Sequence, residues 1–126
     1  MTTLLMIDDE RELLEVFAKF FPKRGYQVFT AASGLEGLKV ARKEKPDLIV
    51  LDMRMPKLDG FETLKQLRKR DKKTRVVMLT GYGTAGLIRE ASELNISDFV
   101  AKPFDLHHLQ RLIEEVLDPA SGGGAM

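Results

Sequence analysis

Five polar residues stand where apolar runs end. "TLLMI" (3–7) gives way to Asp8 and Asp9, "DLIVL" (47–51) to Asp52, "RVVMLT" (75–80) closes on Thr80, and "DFVAK" (98–102) closes on Lys102. Three carboxylates gathered in one place repel one another, and without compensation at least one takes up a proton. A hard divalent cation removes that conflict, because Mg2+ favours carboxylate and carbonyl oxygens and bridges them to phosphate. With the ammonium of Lys102 alongside, such a cluster can hold a dianionic phosphoryl group. Asp52 is then the candidate nucleophile, since a carboxylate can accept a phosphoryl group covalently. Taken singly, each residue has an ordinary use: Asp9 as a helix cap, Thr80 as strand or turn chemistry, Lys102 as solvated surface. Only a fold that brings the strand ends to one edge makes them a site.

The elements needed for this are legible. Short apolar runs alternate with segments of helical period, which predicts βα units around a parallel sheet. A fifth run, "YQVFTA" (26–31), alternates polar and apolar residues and reads as an edge strand, whereas the other four are nearly continuously apolar, as for strands covered on both faces. Asp9 with Glu12, Ser33 with Glu36, and Asp59 with Glu62 fit capping boxes, and Asp105 caps the last helix. The apolar stripes behind these caps run through Leu13, Val16, Phe17 and Phe20, then Leu35, Leu38 and Ala41, then Phe61, Leu64 and Leu67. Leu87, Ile88, Ala91 and Leu94 mark the fourth helix, and Leu109, Leu112, Ile113 and Val116 the fifth. Right-handed crossovers place these helices on both faces of the sheet. The expected fold is one α/β domain over residues 1–118, a five-stranded parallel sheet doubly wound as (βα)5 in the flavodoxin-like order 2-1-3-4-5. Residues 119–126, "PASGGGAM", read as a flexible tail or linker stub. In such a sheet ligands bind beyond the carboxyl ends of the strands, where the order reverses between the first and third.

Composition narrows the alternatives. At 126 residues with 44% hydrophobic content, the chain suffices for one core. Lys plus Arg (20) nearly balances Asp plus Glu (19), so no global field draws the protein to nucleic acid or an anionic membrane. There is no Cys, hence no disulfide framework and no thiolate chemistry. The N-terminus lacks a basic leader, and no apolar run approaches the ~18 to 20 residues that cross a bilayer, so a cytoplasmic location is expected. The basic run "RKRDKKTR" (68–75) falls where the third helix ends and reads as a solvated face complementing the helix dipole. His107 and His108 are adjacent, point in different directions and cannot form a metal pair.

"IDDE" after the first strand, "LDMRMPKLDG" around the third, "MLTGYG" around the fourth and "DFVAKPF" around the fifth together resemble the receiver domain of two-component response regulators. The likeness extends from residue 3 to about 118. It implies that Asp52 accepts a phosphoryl group from a sensor histidine kinase or phosphotransfer protein. Asp9, Asp52 and the backbone carbonyl of Arg54 would bind Mg2+ directly, and Asp8 through water. Lys102 would pair with the phosphoryl oxygens and Thr80 would hydrogen-bond to one of them. Phe99 would change rotamer on activation, and Pro103 would follow a cis peptide. The implied output is a switch of the surface made by helix 4, strand 5 and helix 5, read by a partner, an output domain or a second copy on phosphorylation. The implied chemistry is confined to the domain's own phosphorylation and dephosphorylation, with no separate enzymatic substrate, no direct nucleic-acid binding and no membrane. Arg54 and Tyr82 would flank the pocket and tune the lifetime of the phosphoryl group.

Three other readings fit less well. A phosphatase of the haloacid dehalogenase type needs an acid two positions after its nucleophile, where Arg54 stands. A flavin or nucleotide carrier needs an anion cradle after the first strand, where "DDERE" would repel phosphate. A receiver-like module that no longer phosphorylates would not need the complete set of Asp8, Asp9, Asp52, Thr80 and Lys102.

Overall fold

The computed structural model describes residues 1–81 and 85–118; the expected tail at 119–126 and the pocket-flanking Tyr82 lie outside the described residues. Five strands, β1 (Thr3–Ile7), β2 (Gln27–Ala31), β3 (Leu48–Asp52), β4 (Arg75–Thr80) and β5 (Asp98–Ala101), alternate with five helices, α1 (Arg11–Phe20), α2 (Gly34–Glu44), α3 (Gly60–Arg70), α4 (Ile88–Ser92) and α5 (Leu106–Leu117). The strands form one sheet in the order β2-β1-β3-β4-β5, every pairing parallel. This is the expected topology, with β2 at an edge and more exposed than β1 or β3. Among the described residues no helix is long and apolar enough to cross a membrane.

Alternation along each strand divides the core between the two faces of the sheet. Leu4, Met6, Leu48, Val50, Val77, Leu79 and Val100 pack with Phe17 and Phe21 and with Leu109 and Ile113 of α5. Leu5, Ile7, Ile49, Leu51, Val76 and Met78 face the other way, toward Leu64 and Leu67 of α3 and Ala91 of α4. The ladder continues one step past two strands, with Asp8 N–H donating to Ala31 O (3.0 Å) and Lys102 N–H to Thr80 O (2.7 Å). By the same alternation Asp8, Asp52 and Lys102 emerge on the α1/α5 face, whereas Thr80 and Phe99 belong to the α2–α4 face.

The caps differ in one case from the expected set. Ser33 Oγ accepts from Glu36 N–H (3.2 Å), Asp59 Oδ1 from Glu62 N–H (2.9 Å) and Asp105 Oδ1 from His107 N–H (2.7 Å). The first helix, however, is capped by Glu10 without a side-chain bond, and Asp9 stands outside it. Two residues of the expected apolar stripes are exposed, Val16 (47%) and Leu35 (61%), while Phe21, just beyond α1, is fully buried. The fourth helix is short, one 3-10 turn (Ala85–Leu87) followed by the five residues of α4. Gly60 opens α3 with its N–H on Met53 O (3.0 Å). A Cβ there would overlap the Asp52 carbonyl oxygen and lie 2.6 Å from Met53 Cα, so only glycine admits this close return of the chain.

The basic run at 68–75 needs one correction, because Arg68 is buried (6% exposed). Its guanidinium donates from Nε to Leu94 O (2.7 Å), from Nη1 to Asp71 O (2.9 Å), and from Nη2 to Thr74 O and Asn95 O (both 2.8 Å). One side chain thus gives donors to four carbonyls in two connections, α3 to β4 and α4 to β5. Arg68→Met is expected to cost about 2–4 kcal/mol in urea unfolding because the carbonyls are left unpaired. Arg68→Lys should rescue little, since an ammonium lacks the planar fork. Arg70→Ala, at an exposed neighbouring position, should stay within about 0.5 kcal/mol of the parent.

Candidate functional site

The carboxyl edge of the sheet gathers four acids around one ammonium. Asp8 is fully buried and Asp52 is 5% exposed, because helices cover both faces up to the strand ends. Asp8 Oδ1 accepts from Glu10 N–H (2.8 Å), which turns the chain out of β1 into α1. Asp52 Oδ1 accepts from Arg54 N–H (3.3 Å). Lys102 Nζ lies 2.8 Å from Asp8 Oδ2, 2.5 Å from Glu10 Oε1 and 3.3 Å from Asp52 Oδ2. The contact with Asp8 Oδ2 is ionic and is not aligned as a hydrogen bond, so that buried oxygen has a charged neighbour and no hydrogen-bond donor.

One cation cannot balance these acids. Burial pushes the Asp52 carboxyl up to about 6, and the charge of Asp8 pushes the same way, against the opposing pull of Lys102. Asp8 is raised for the same leading reason, burial, with Lys102 again opposing. Burial works against the Lys102 charge too. The close contacts with Asp8 and Glu10 and the field of Asp52 and Asp8 outweigh it, and its pKa is raised above the usual lysine range. The lysine gains from several carboxylates while each carboxylate has only a share of the lysine.

Carboxylate oxygens of Asp8, Asp9 and Asp52 all lie within 4.8 Å of one another, Asp9 at the exposed rim. The donor set is all hard oxygen, carries excess negative charge and includes a buried oxygen without a hydrogen bond, so it fits a hard divalent cation. Asp8, Asp9, Asp52 and Lys102 are therefore together. Thr80 is turned away, its Oγ1 donating to Val100 O at 3.4 Å. Phe99, on the same face, packs half-buried against the α2–α4 side of the core. The backbone of Arg54 reaches the site through its N–H, and its side chain is exposed. The Lys102–Pro103 peptide is cis. Sequence reasoning missed Glu10. The signal was the third acid of "IDDE", placed one residue beyond the acids that β1 delivers.

Comparisons with known proteins agree on the kind of domain. The family model described as the response regulator receiver domain matches residues 4–114. The chain is 39% identical over 114 residues to sporulation initiation phosphotransferase F of Bacillus subtilis (strain 168), covering 90% of this chain and 92% of that protein. It is 38% identical to the alkaline phosphatase synthesis transcriptional regulatory protein PhoP of the same organism, covering 90% of this chain but only 48% of the longer protein. A solved structure of a response regulator receiver domain protein from Clostridium thermocellum superposes with a TM-score of 0.87 at 28% identity, covering 94% of this chain and 96% of that one.

The raised Asp52 carboxyl makes stability depend on pH. Its unfolded value is near 3.8, so below about pH 4 both states are protonated and there is no penalty. As pH rises from 4 to 6 the unfolded chain ionises first, and above about 6 the folded domain bears the full cost of a buried charge. In metal-free buffer at pH 7.5, Asp52→Asn should therefore stabilise the domain by about 1–3 kcal/mol. The gain should fade toward pH 4 in denaturant unfolding, and added Mg2+ should stabilise the parent more than the variant.

Proposed function

The chain belongs to the response regulator receiver family, a component of two-component signalling, and from that premise we propose that it is a switch that accepts a phosphoryl group on Asp52. The observation that carries this reading is the state of Asp52: nearly buried at a strand end, 3.3 Å from the ammonium of Lys102 and within 4.8 Å of two further acids. The donor is a phosphohistidine of a sensor kinase or phosphotransfer protein. An Asp52 oxygen attacks phosphorus, the P–O bond forms as the P–N bond breaks, and the imidazole leaves with the electron pair and takes up a proton. The domain turns over no separate substrate.

Asp9, Asp52 and the Arg54 carbonyl would hold Mg2+ directly, with Asp8 acting through water because its own oxygens are engaged by Glu10 N–H and Lys102. When bound, the ion supplies positive charge that offsets the carboxylates and the incoming phosphoryl oxygens. Lys102 stands ready to pair with a phosphoryl group on Asp52, and exposed Glu10 is the partner it releases most cheaply. The Thr80 hydroxyl, which donates a long bond to Val100 O, turns toward the new acceptor oxygens. Phe99 then moves into the space behind β4, which changes the surface of α4, β5 and α5 as a shift between two packings. A partner, an output domain or a second copy reads that surface. The similarity to a protein named as a phosphotransferase and to one named as a transcriptional regulatory protein, the latter about twice as long as this chain, supports an output exerted through another domain or protein.

Incubation with acetyl phosphate and Mg2+ should add one phosphoryl group by intact mass. Modification that persists in Asp52→Asn, or that proceeds equally in chelator, overturns the assignment. The acids and the lysine should separate in a Mg2+ titration. Asp9→Ala is expected to lower affinity at least about tenfold by removing a direct ligand. Lys102→Ala should leave affinity unchanged or higher, because the ammonium competes for Asp8 and Asp52, and should still slow phosphorylation.

A further inference from the structure

The opposite edge of the sheet carries a second feature. Helices α2 and α3 run back against the strands, so their C-terminal ends meet at the edge where β3 and β4 begin, far from Asp52. Between them lies a groove of about 910 Å3. Leu38, Ala41, Pro46 and Leu67 supply its apolar floor, with Pro46 and Leu67 buried. Its rim carries six cations, Arg42, Lys45, Lys69, Arg70, Lys72 and Lys73.

Helix ends attract cations, but here the cations exceed that need. Two helix C-termini contribute roughly one unit of negative charge together. The single acid of the lining, Asp71, is already engaged by the Thr74 hydroxyl and by the N–H groups of Lys73 and Thr74. Among the described residues none of Arg42, Lys45, Lys69, Arg70 or Lys73 takes part in an ion pair. Arg68 ties two carbonyls of the wall, Asp71 O and Thr74 O, to Leu94 O and Asn95 O of the next connection, so the groove is formed in advance. Leu35, exposed over 61% of its surface, stands on the same side of α2 as Leu38 and Arg42 and extends the apolar track.

We infer that this groove is an interaction surface for an acidic amphipathic helix of a protein partner, its apolar side on the floor and its carboxylates against the rim. Helix-in-groove recognition needs this pairing of an apolar trough with complementary charge. Nucleic acid fits less well, because no aromatic side chain among the described residues lines the groove for base stacking. The surface is independent of phosphoryl chemistry at Asp52.

The test uses the full chain, 15N-labelled, titrated with a synthetic peptide of about 18 residues, five helical turns, with Leu and Ala on one side and Glu on the other. Amide shifts should concentrate at residues 38–46 and 66–74 and saturate in the micromolar range. The double reversal Lys69→Glu with Arg70→Glu should weaken binding at least about tenfold. Lys45→Gly should also weaken it while the fold keeps or gains stability, since Lys45 holds a left-handed backbone (φ 48°) that glycine adopts more easily. Equal binding of a scrambled peptide of the same composition, tighter binding of duplex DNA or of phosphatidylcholine–phosphatidylserine vesicles, shifts centred on the Asp52 edge, or no saturation would each overturn the inference.

Discussion

The ammonium of Lys102 is the interaction on which the carboxyl edge depends. Without it, Asp8 and Asp52 would face each other as buried like charges with Glu10 nearby. Two like charges about 4 Å apart near a protein surface repel by about 4 kcal/mol, comparable with the whole margin by which a small domain stays folded. Lys102 forms ion pairs with all three acids at once, and its own position follows from the ladder bond of its N–H to Thr80 O. The site is held at the edge of tolerance. It is compact enough to exist without added charge, yet its carboxylates outnumber the one ammonium that holds them together.

Much of this was legible because strand alternation is rigid. The acids at the ends of β1 and β3 and the lysine after β5 share one parity with the core residues before them, so Asp8, Asp52 and Lys102 had to emerge together, and Thr80 and Phe99 on the other face. What escaped the sequence were contacts that parity does not govern. Glu10 reaches Lys102 because α1 begins one residue later than a cap at Asp9 implies, the buried Asp8 carboxylate having claimed the Glu10 N–H. Arg68 sits in a basic run that looks solvated, and nothing local distinguishes it from Lys69 or Arg70. Its burial is decided by carbonyls of Leu94 and Asn95, far along the chain. Leu35 and Val16 fit helical period but fall just outside the width of the buried stripe.

A formal net charge of +1 conceals a polarised molecule. Acids collect where the strands end, and unpaired cations collect where α2 and α3 end, so the two edges of one sheet present opposite fields. Their separation along the strands keeps the two surfaces from competing for the same region of the domain.

Two glycines at the carboxyl edge, one opening α3 and one following β4, differ in their freedom. At Gly60 the chain returns so close to the Asp52 carbonyl that any side chain would collide with backbone, whereas a Cβ at Gly81, beside Thr80, meets nothing within 4 Å among the described residues. The backbone under Asp52 is therefore closed to mutational drift, while the position beside Thr80 meets no such collision among the described residues. A lineage carrying this domain can therefore change the side chain next to Thr80 more readily than it can disturb the backbone that holds the Asp52 carboxylate.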